Sequence, residues 1–436
     1  GGNGGDAALA AAELRRGGRE VELRCPLGRP LDGDALKAWH AAEAAGVPVA
    51  EGPLELHAGC GVVDGLFGIG IGRELDAKAR AAVEAINDHA RATLAIDVPS
   101  GLCADTGRML PAAVRATRTV TFFARKLGLL MRHGPDCCGV LEVDGLGCEL
   151  PLDEEFGAAV AGLPSIDALR RGSDSHKSSF GALAVVGGAP GMLGALQLAT
   201  RAATAHGCGK VFAVPCDPAA PPADLLQPEI MWRAAPPADL DAAVVGVGMG
   251  ESNEAKGMLA ALLERDLAVL CDADALNMIA ADEGLQELLR ERAAATVLTP
   301  HPGEAARLLG CGADEVQADR LAAARRLAEA VDVWVALKGA GTVIAAPNGA
   351  WAVNSSGNAG LAQAGSGDVL AGVIGALLAQ GVAPWDAAAG GVWLHGKGAE
   401  LAAAEHGGCL GLSLAAVVRH SSRHLAWLAS LRGIAA

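Results

Sequence analysis

The sequence contains no tyrosine, and its six Phe and seven Trp bring aromatics to only 3% of 436 residues. A core of this size must be filled by aliphatic side chains and by closely approaching backbone. The 51% hydrophobic content and 59 glycines supply both. Positive charge is also scarce, with 35 Lys and Arg against 50 Asp and Glu and a formal net charge of −15. That sign argues against nucleic acid or an anionic membrane as a partner. A phosphorylated small molecule stays admissible, because a helix N-terminus holds phosphate with backbone N–H groups alone. No apolar run reaches the ~18 residues of a membrane span, and no signal-peptide pattern is visible. The eleven cysteines are odd in number and scattered, with Cys137 and Cys138 adjacent and no C-x-x-C. They read as reduced thiols in a cytoplasmic protein. No methionine precedes Met109, so the chain reads as starting inside a longer protein. Internal repeats and long low-complexity segments are absent too.

What is there is an alternation of short apolar runs with Ala/Leu-rich helical stretches, the pattern of parallel sheets wrapped by helices. A chain of this length is expected to form two domains. In the first, residues 1–150, strands are expected at 19–26, 61–68, 92–101 and 117–123. The alternation lapses over 151–175, which reads as a linker and lead-in. It restarts in the second domain, 176–436, with strands expected in FGALAVVGGAP, GKVFAVP, DAAVVGVGMG, LAVLCDADAL, ATVLTPHPGE and VWVALKGAGT. Each run ends in glycine or polar residues, and open α/β sheets carry function beyond the carboxyl ends of their strands.

The sharpest chemistry lies in GNAGLAQAGSGDVLAGVIGALLAQG (357–381). A turn from Gly365 through Ser366 and Gly367 to Asp368 leads straight into an apolar helix. Its backbone N–H groups and the helix dipole converge on one point, as an anion site requires. Asp368 then stands where a general base would act on a hydroxyl near a phosphoryl group; a plain helix N-cap is the other reading. LKGAGTVIA (337–345) places a lysine and small residues between two strands. TPHPGEAARLLG (299–310) enters a helix with His301 in the turn and Glu304 in the first turn. The residues by themselves indicate a nucleotide-binding, phosphotransferase-like domain with a magnesium ion on the nucleotide.

At this point a resemblance appears. SHKSSFGALAVVGG, QPEIM, GVGMG, DADALN, TPHPGEAARLL, KGAGTVI and NAGLAQAGSGDVLAG occur in the order of the ribokinase-like dehydratases that repair hydrated nicotinamide cofactors, and the 165–436 part resembles that family. The resemblance implies ADP- or ATP-dependent dehydration of the S form of NADHX or NADPHX. The hydrate hydroxyl is phosphorylated, and phosphate is then lost. It implies Asp368 as base and substrate contact, Ala195, Gly248 and His301 lining the hydrate site, and Lys338, Gly339, Ala340, Gly341, Thr342 and Gly367 at the adenine nucleotide with Mg2+. Ser366 stands where the family usually has threonine and keeps the hydroxyl.

The first part offers NGGDA (3–7), VVDGLFGIGIGRE (62–74) and AIDVPSGLCADTG (95–107). Asn3, Asp64 and Ser100 are oxygen donors suited to a hard cation. Asp97 precedes a Pro-Ser-Gly turn, where it could be a base, a ribose binder or a turn cap. These motifs resemble the epimerase domain often fused to the dehydratase. The resemblance implies interconversion of the R and S hydrates, with Asn3, Asp64 and Ser100 as potassium ligands. Asn3, Gly4, Gly5 and Asp6 form its glycine-rich loop. With Gly68, Ile69, Gly70, Ile71, Gly72, Arg73, Glu74 and Asp97 that loop would contact the hydrate, and Asp97 would shuttle the proton. Two positions depart from the family loop. Gly2 replaces an asparagine, and Ala7 replaces a glycine where a Cβ is expected to strain a backbone of positive φ. The expected architecture is thus two three-layer α/β domains, Rossmann-like then ribokinase-like, in a homo-oligomeric enzyme whose partners are small molecules. The rival expectation is a ribokinase-like small-molecule kinase with a non-catalytic N-terminal binding domain.

Overall fold

The computed structural model describes residues 2–29, 32–57, 59–148, 158–160, 162, 165 and 167–431. The chain divides into two compact units, Gly1–Asp153 and Glu154–Ala436. Both are α/β with parallel sheets, as the alternating pattern requires.

In the first unit, α1 (Gly2–Arg16) packs on α2 (Gly33–Ala44). Ala8, Ala11, Ala12, Ala38, Trp39 and Ala42 are buried between them. Trp39 is 2% exposed, and its indole N–H donates to Glu43 Oε1 at 3.1 Å. β1 (Leu23–Cys25) pairs with β2 (Val49–Glu51). A separate parallel sheet runs in chain order: β3 (Gly61–Asp64), β4 (Ala92–Ile96), β5 (Arg118–Phe122) and β6 (Val140–Asp144). α3 (Ala77–His89) crosses from β3 to β4. Its N-cap Asp76 accepts from Ala79 N, and Ala79, Ala82, Val83 and Ile86 form its buried stripe at helical spacing. The short α4 (Gly134–Cys138) precedes β6.

One expectation is corrected here. Asn3 to Asp6 do not form a loop; they are the opening turns of α1. The alanine-rich run behind them favours helix strongly enough to carry the glycines along. Ala7 is helical, has no positive φ and so carries no strain. Its Cβ instead fills the space over Gly65, where an added Cβ would lie 2.6 Å from it.

In the second unit the strands are β7 (Ala158–Val160), β8 (Ala182–Gly187), β9 (Lys210–Pro215), β10 (Met231–Trp232), β11 (Ala242–Val247), β12 (Ala268–Cys271), β13 (Thr296–Leu298), β14 (Trp334–Leu337), β15 (Val343–Ala345) and β16 (Trp351–Asn354). They make one ten-stranded sheet ordered β10-β9-β8-β11-β12-β13-β14-β15-β16-β7, antiparallel only at the β14–β15 and β15–β16 pairs. Of the stretch expected as linker, 151–157, 161, 163–164 and 166 lie outside the described residues, and Ala158–Val160 pair with β16. The helices are α5 (Leu193–Ala205), α6 (Asn253–Leu263), α7 (Asp274–Ala281), α8 (Glu283–Glu291), α9 (Pro302–Leu309), α10 (Ala313–Ala318), α11 (Arg320–Val331), α12 (Ser366–Ala379), α13 (Pro384–His406) and α14 (Leu414–Leu431).

β8 and β11 are buried along their whole length, which accounts for their unbroken apolar runs. α12 is nearly all buried as well. Its glycines allow this: a Cβ at Gly372 would lie 2.1 Å from Ala199 O of α5, and one at Gly375 would lie 2.4 Å from Val244 Cγ2 of β11. Backbone approach replaces bulk in a core that lacks aromatics. The chain leaves β8 toward β9 and returns to its other side with β11, creating a switch point where ligands bind in open α/β sheets. Among the described residues no helix is long and apolar enough to cross a membrane.

Candidate active sites

Five neighbouring strands of the second unit, β8, β11, β12, β13 and β14, deliver residues to one edge of the sheet. At the β8/β11 switch point the two loops zip together: Gly188 N donates to Val247 O at 3.0 Å and Ala189 N to Gly248 O at 2.7 Å. Gly248 has φ +55°, and a Cβ there would stand 3.0 Å from Ala195 Cβ. The structure thus brings together Ala195 and Gly248.

Beyond β12 and β14, Lys338 Nζ donates to Asp272 Oδ1 at 2.5 Å and lies 3.8 Å from Glu304 Oε2. Burial works to lower the lysine, but Asp272, Glu304 and Asp368 prevail and hold it above its usual range. Burial raises Glu304 against the pull of Lys338. A Cβ on Gly367 would come 3.5 Å from Lys338 Nζ and 3.7 Å from Asp272 Oδ2, so the glycine turn touches the same group. Gly365 takes φ +88° to make that turn, and α12 starts on the next residue. Asp368, in its first turn, is pushed up to about 6, mainly by burial and then by the negative charge of Asp272, with Lys338 opposing. Asp274 adds to the same push and accepts from Gly250 N at 2.8 Å.

His301 is the N-cap of α9. Its Nδ1 accepts from Gly303 N at 2.9 Å and Glu304 N at 3.3 Å, while its own N–H donates to Glu304 Oε2 at 2.7 Å. This reciprocal capping leaves Nε2 as the protonated nitrogen on a half-exposed ring. Lys338 to Thr342 make the β14–β15 hairpin. Gly339 and Gly341 take φ +149° and +66°, and buried Arg320 holds the strand end and the hairpin through Leu337 O (2.9 Å) and Ala340 O (2.7 Å). Asp272, Asp274, Glu304 and Arg320 were not singled out as site residues from the sequence. DADALN held the first two in view, and Arg320 gave no local signal.

In the first unit Asp64 and Ser100, both buried, lock together. Asp64 Oδ2 accepts from Ser100 N at 2.8 Å, and Oδ1 accepts from Ser100 Oγ at 2.6 Å and Leu66 N at 3.2 Å. Burial raises Asp64 despite these bonds. Asn3 joins them from α1, its amide donating to Phe67 O at 2.6 Å and Ile96 O at 3.1 Å, while Phe67 N donates to Ser100 Oγ at 2.9 Å. Gly68 abuts Asn3, since a Cβ there would be 3.3 Å from Asn3 Cγ. Gly5 is a buried packing position facing Ala35 Cα, whereas Gly4 is exposed. Ile69 to Glu74 run along a largely exposed stretch, with Ile69 59% exposed.

Asp97 has φ +63° and occupies the centre of a turn closed by Val98 N donating to Ile96 O at 2.8 Å. Its Oδ1 accepts from Lys126 Nζ (2.6 Å), Thr121 Oγ1 (3.1 Å) and Phe122 N (3.2 Å). Asp6 is raised by burial and then by the negative charge of Asp97. Among the described residues no three His, Cys, Asp or Glu side chains converge as metal ligands.

A buried helix entered through a glycine turn, with a raised carboxylate beside a lysine beyond the ends of parallel strands, is the arrangement of a ribokinase-like enzyme domain. Residues 183–419 match the family described as NAD(P)H-hydrate dehydratase, and residues 1–128 match the YjeF-related protein N-terminus. The chain is 38% identical to the bifunctional NAD(P)H-hydrate repair enzyme of Coxiella burnetii over 93% of its own length and 85% of that protein's. It is 47% identical to the ADP-dependent (S)-NAD(P)H-hydrate dehydratase of Neisseria meningitidis over 58% of its own length and 88% of that protein's. Among solved structures, the ADP/ATP-dependent NAD(P)H-hydrate dehydratase of Bacillus subtilis, co-crystallised with ATP and Mg2+, is similar with a TM-score of 0.50 and 28% identity, covering 59% of this chain and 94% of that one. The chain belongs to the bifunctional NAD(P)H-hydrate repair enzymes.

Proposed function

We propose that the second unit dehydrates the S form of NADHX or NADPHX at the expense of ADP or ATP, and that the first unit interconverts the R and S hydrates. The observation that carries the first half is Asp368, a carboxylate raised to about 6 at the mouth of the Gly365–Asp368 turn. A base tuned near neutrality is still about nine-tenths ionised at pH 7 and can take the proton of the hydrate hydroxyl. The freed oxygen attacks the terminal phosphorus of the nucleotide, which leaves one phosphate shorter. The new phosphate ester then departs as inorganic phosphate while the adjacent ring carbon loses a proton, restoring the reduced nicotinamide. N–H groups of the Gly365–Asp368 turn and the dipole of α12 hold the transferred group. Gly367 and the hairpin from Lys338 through Gly339, Ala340 and Gly341 to Thr342 take the nucleotide. Ala195, Gly248 and His301 line the hydrate pocket.

Asp272, Asp274, Glu304 and Asp368 against Lys338 leave this edge anionic, so a polyphosphate needs an accompanying cation. Mg2+ on the nucleotide fits that requirement and supplies charge neutralisation. In the first unit, Asp64, Ser100, Asn3 and the carbonyls of Phe67 and Ile96 form an oxygen-only donor set with one formal charge, which fits K+. Asn3, Gly4, Asp6, the Gly68–Glu74 stretch and Asp97 take the hydrate, with Gly5 packing α1 against α2 beneath them. Within the same proposal, exposed Leu225 and Leu226 are apolar surface that a second copy would cover in a homo-oligomer, and eleven unpaired cysteines suit a cytoplasmic setting.

Incubation with ADP, Mg2+ and isolated S hydrate should regenerate reduced nicotinamide with AMP and phosphate. Stable phosphorylation of an alcohol without that product would mark a small-molecule kinase instead.

A further inference from the structure

Asp97 is held in an unusual way. A non-glycine residue at φ +63° in a three-residue turn is strained, and such strain persists only where the surroundings fix it. Three donors do so, and all three bond the same oxygen, Oδ1. Among the described residues Oδ2 accepts no hydrogen bond. The strongest donor is Lys126, whose ammonium is itself pinned. Besides Asp97 Oδ1 it bonds Phe122 O at 2.6 Å and Thr121 Oγ1 at 3.0 Å, so its three protons have three acceptors in one place. The pair is well covered, with side-chain exposures of 19% for Lys126 and 13% for Asp97. An ammonium with every proton committed has little left to offer a ligand. It fixes the rotamer of the carboxylate and leaves the other oxygen without a hydrogen bond among the described residues.

We propose that Lys126 is a positioning residue for the epimerase: it clamps Asp97 Oδ1 so that Oδ2 exchanges the hydroxyl proton of the hydrate. This rests on the reading of Asp97 as the proton-transfer group. In the exchange Oδ2 takes the hydroxyl proton and becomes the carboxylic acid. The electron pair left on oxygen forms a C=O as the ring C–N bond breaks with its pair going to the nitrogen. Re-closure of that nitrogen on the other face of the C=O, with return of the proton, gives the other epimer. Lys126 neither gains nor loses a proton.

The test measures R-hydrate consumption by the full chain, with its own dehydratase activity in excess, for wild type, Asp97→Asn, Lys126→Ala and Lys126→Arg. Lys126→Ala should lose about 100-fold in kcat with KM within about threefold, the signature of a misplaced reacting group. Added methylammonium should restore it by about tenfold, corresponding to one regained charge-assisted bond. Lys126→Arg should stay within about tenfold of wild type. Unchanged kcat in Lys126→Ala, a rise in KM alone, or no response to the amine would overturn the proposal. Should Lys126→Ala fail to fold by circular dichroism, the arginine variant decides: activity near wild type supports the clamp, and loss beyond about 100-fold rejects it. Full activity in Asp97→Asn, or no R-hydrate consumption by wild type beyond the spontaneous rate, would refute the underlying reading and the clamp with it. An inactive Asp97→Asn beside an unaffected Lys126→Ala rejects the clamp alone.

Discussion

Asp368 owes its chemistry to where it is buried more than to what touches it. Burial and the nearby Asp272 disfavour its charge and push the carboxyl up to about 6. In the proposed role as base Asp368 must be ionised to work, so dehydratase kcat/KM should fall on the acid side with a midpoint near 6, and a profile flat to pH 5 would contradict the assignment. Asp368→Asn should cost about 1,000-fold in kcat with little change in nucleotide KM. At this scale the sequence was readable where chemistry is local: the Gly365–Asp368 turn, His301 and Lys338 could be chosen from their neighbours. It was unreadable where chemistry depends on residues far apart in the chain. Asp272 and Lys338 are 66 positions apart and share one hydrogen bond. Asp97 and Lys126 are 29 apart.

Among the elements, helices meet through small residues. Gly372 lets α12 lie against α5, and Gly372→Ala, which would drive a methyl to 2.1 Å from a carbonyl oxygen, should destabilise the second unit by about 3 kcal/mol. Equal urea midpoints for variant and wild type would rule that out. Two histidines mark the same packing. His206 at the end of α5 and His395 within α13 are buried with an unpartnered Nε2 each, and burial lowers both to about 4. Unfolded histidines take up protons below about 6.5 and the folded ones do not, so the unfolded state binds more protons between about 6.5 and 4. Stability is therefore complete above that window and falls as pH drops through it, by about 3 kcal/mol per histidine at most. Urea denaturation at pH 7 and pH 5 checks this, and His395→Leu should roughly halve the difference. Strand positions in both units followed from apolar runs, since β8 and β11 are buried on both faces. The opening of α1 did not, because four glycines in seven residues imitate a loop and only the helix behind them decides otherwise. β2, β6, β7, β10 and β16 also escaped notice. They are short or lie at sheet edges, where apolar periodicity is weakest.

Across the whole molecule, each unit carries its own chemistry, and the two should separate cleanly by mutation. Given a mixture of R and S hydrates with ADP, wild type should consume both. Asp97→Asn should stop once the S form is exhausted, apart from slow spontaneous epimerisation, and Asp368→Asn should consume neither. Chromatography of the residual hydrates reads all three outcomes, and full consumption of R hydrate by Asp97→Asn would place the epimerase elsewhere.

The poverty in aromatics has an optical consequence. With no tyrosine to contribute, near-ultraviolet fluorescence belongs almost wholly to seven indoles, of which Trp39 alone lies in the first unit and six lie in the second. Trp39 is sealed between α1 and α2 with its N–H bonded to Glu43. The difference in emission between wild type and Trp39→Phe is thus a private signal of the epimerase unit, and the remaining emission reports the other. One cuvette can follow the unfolding of each half of the same chain without a label.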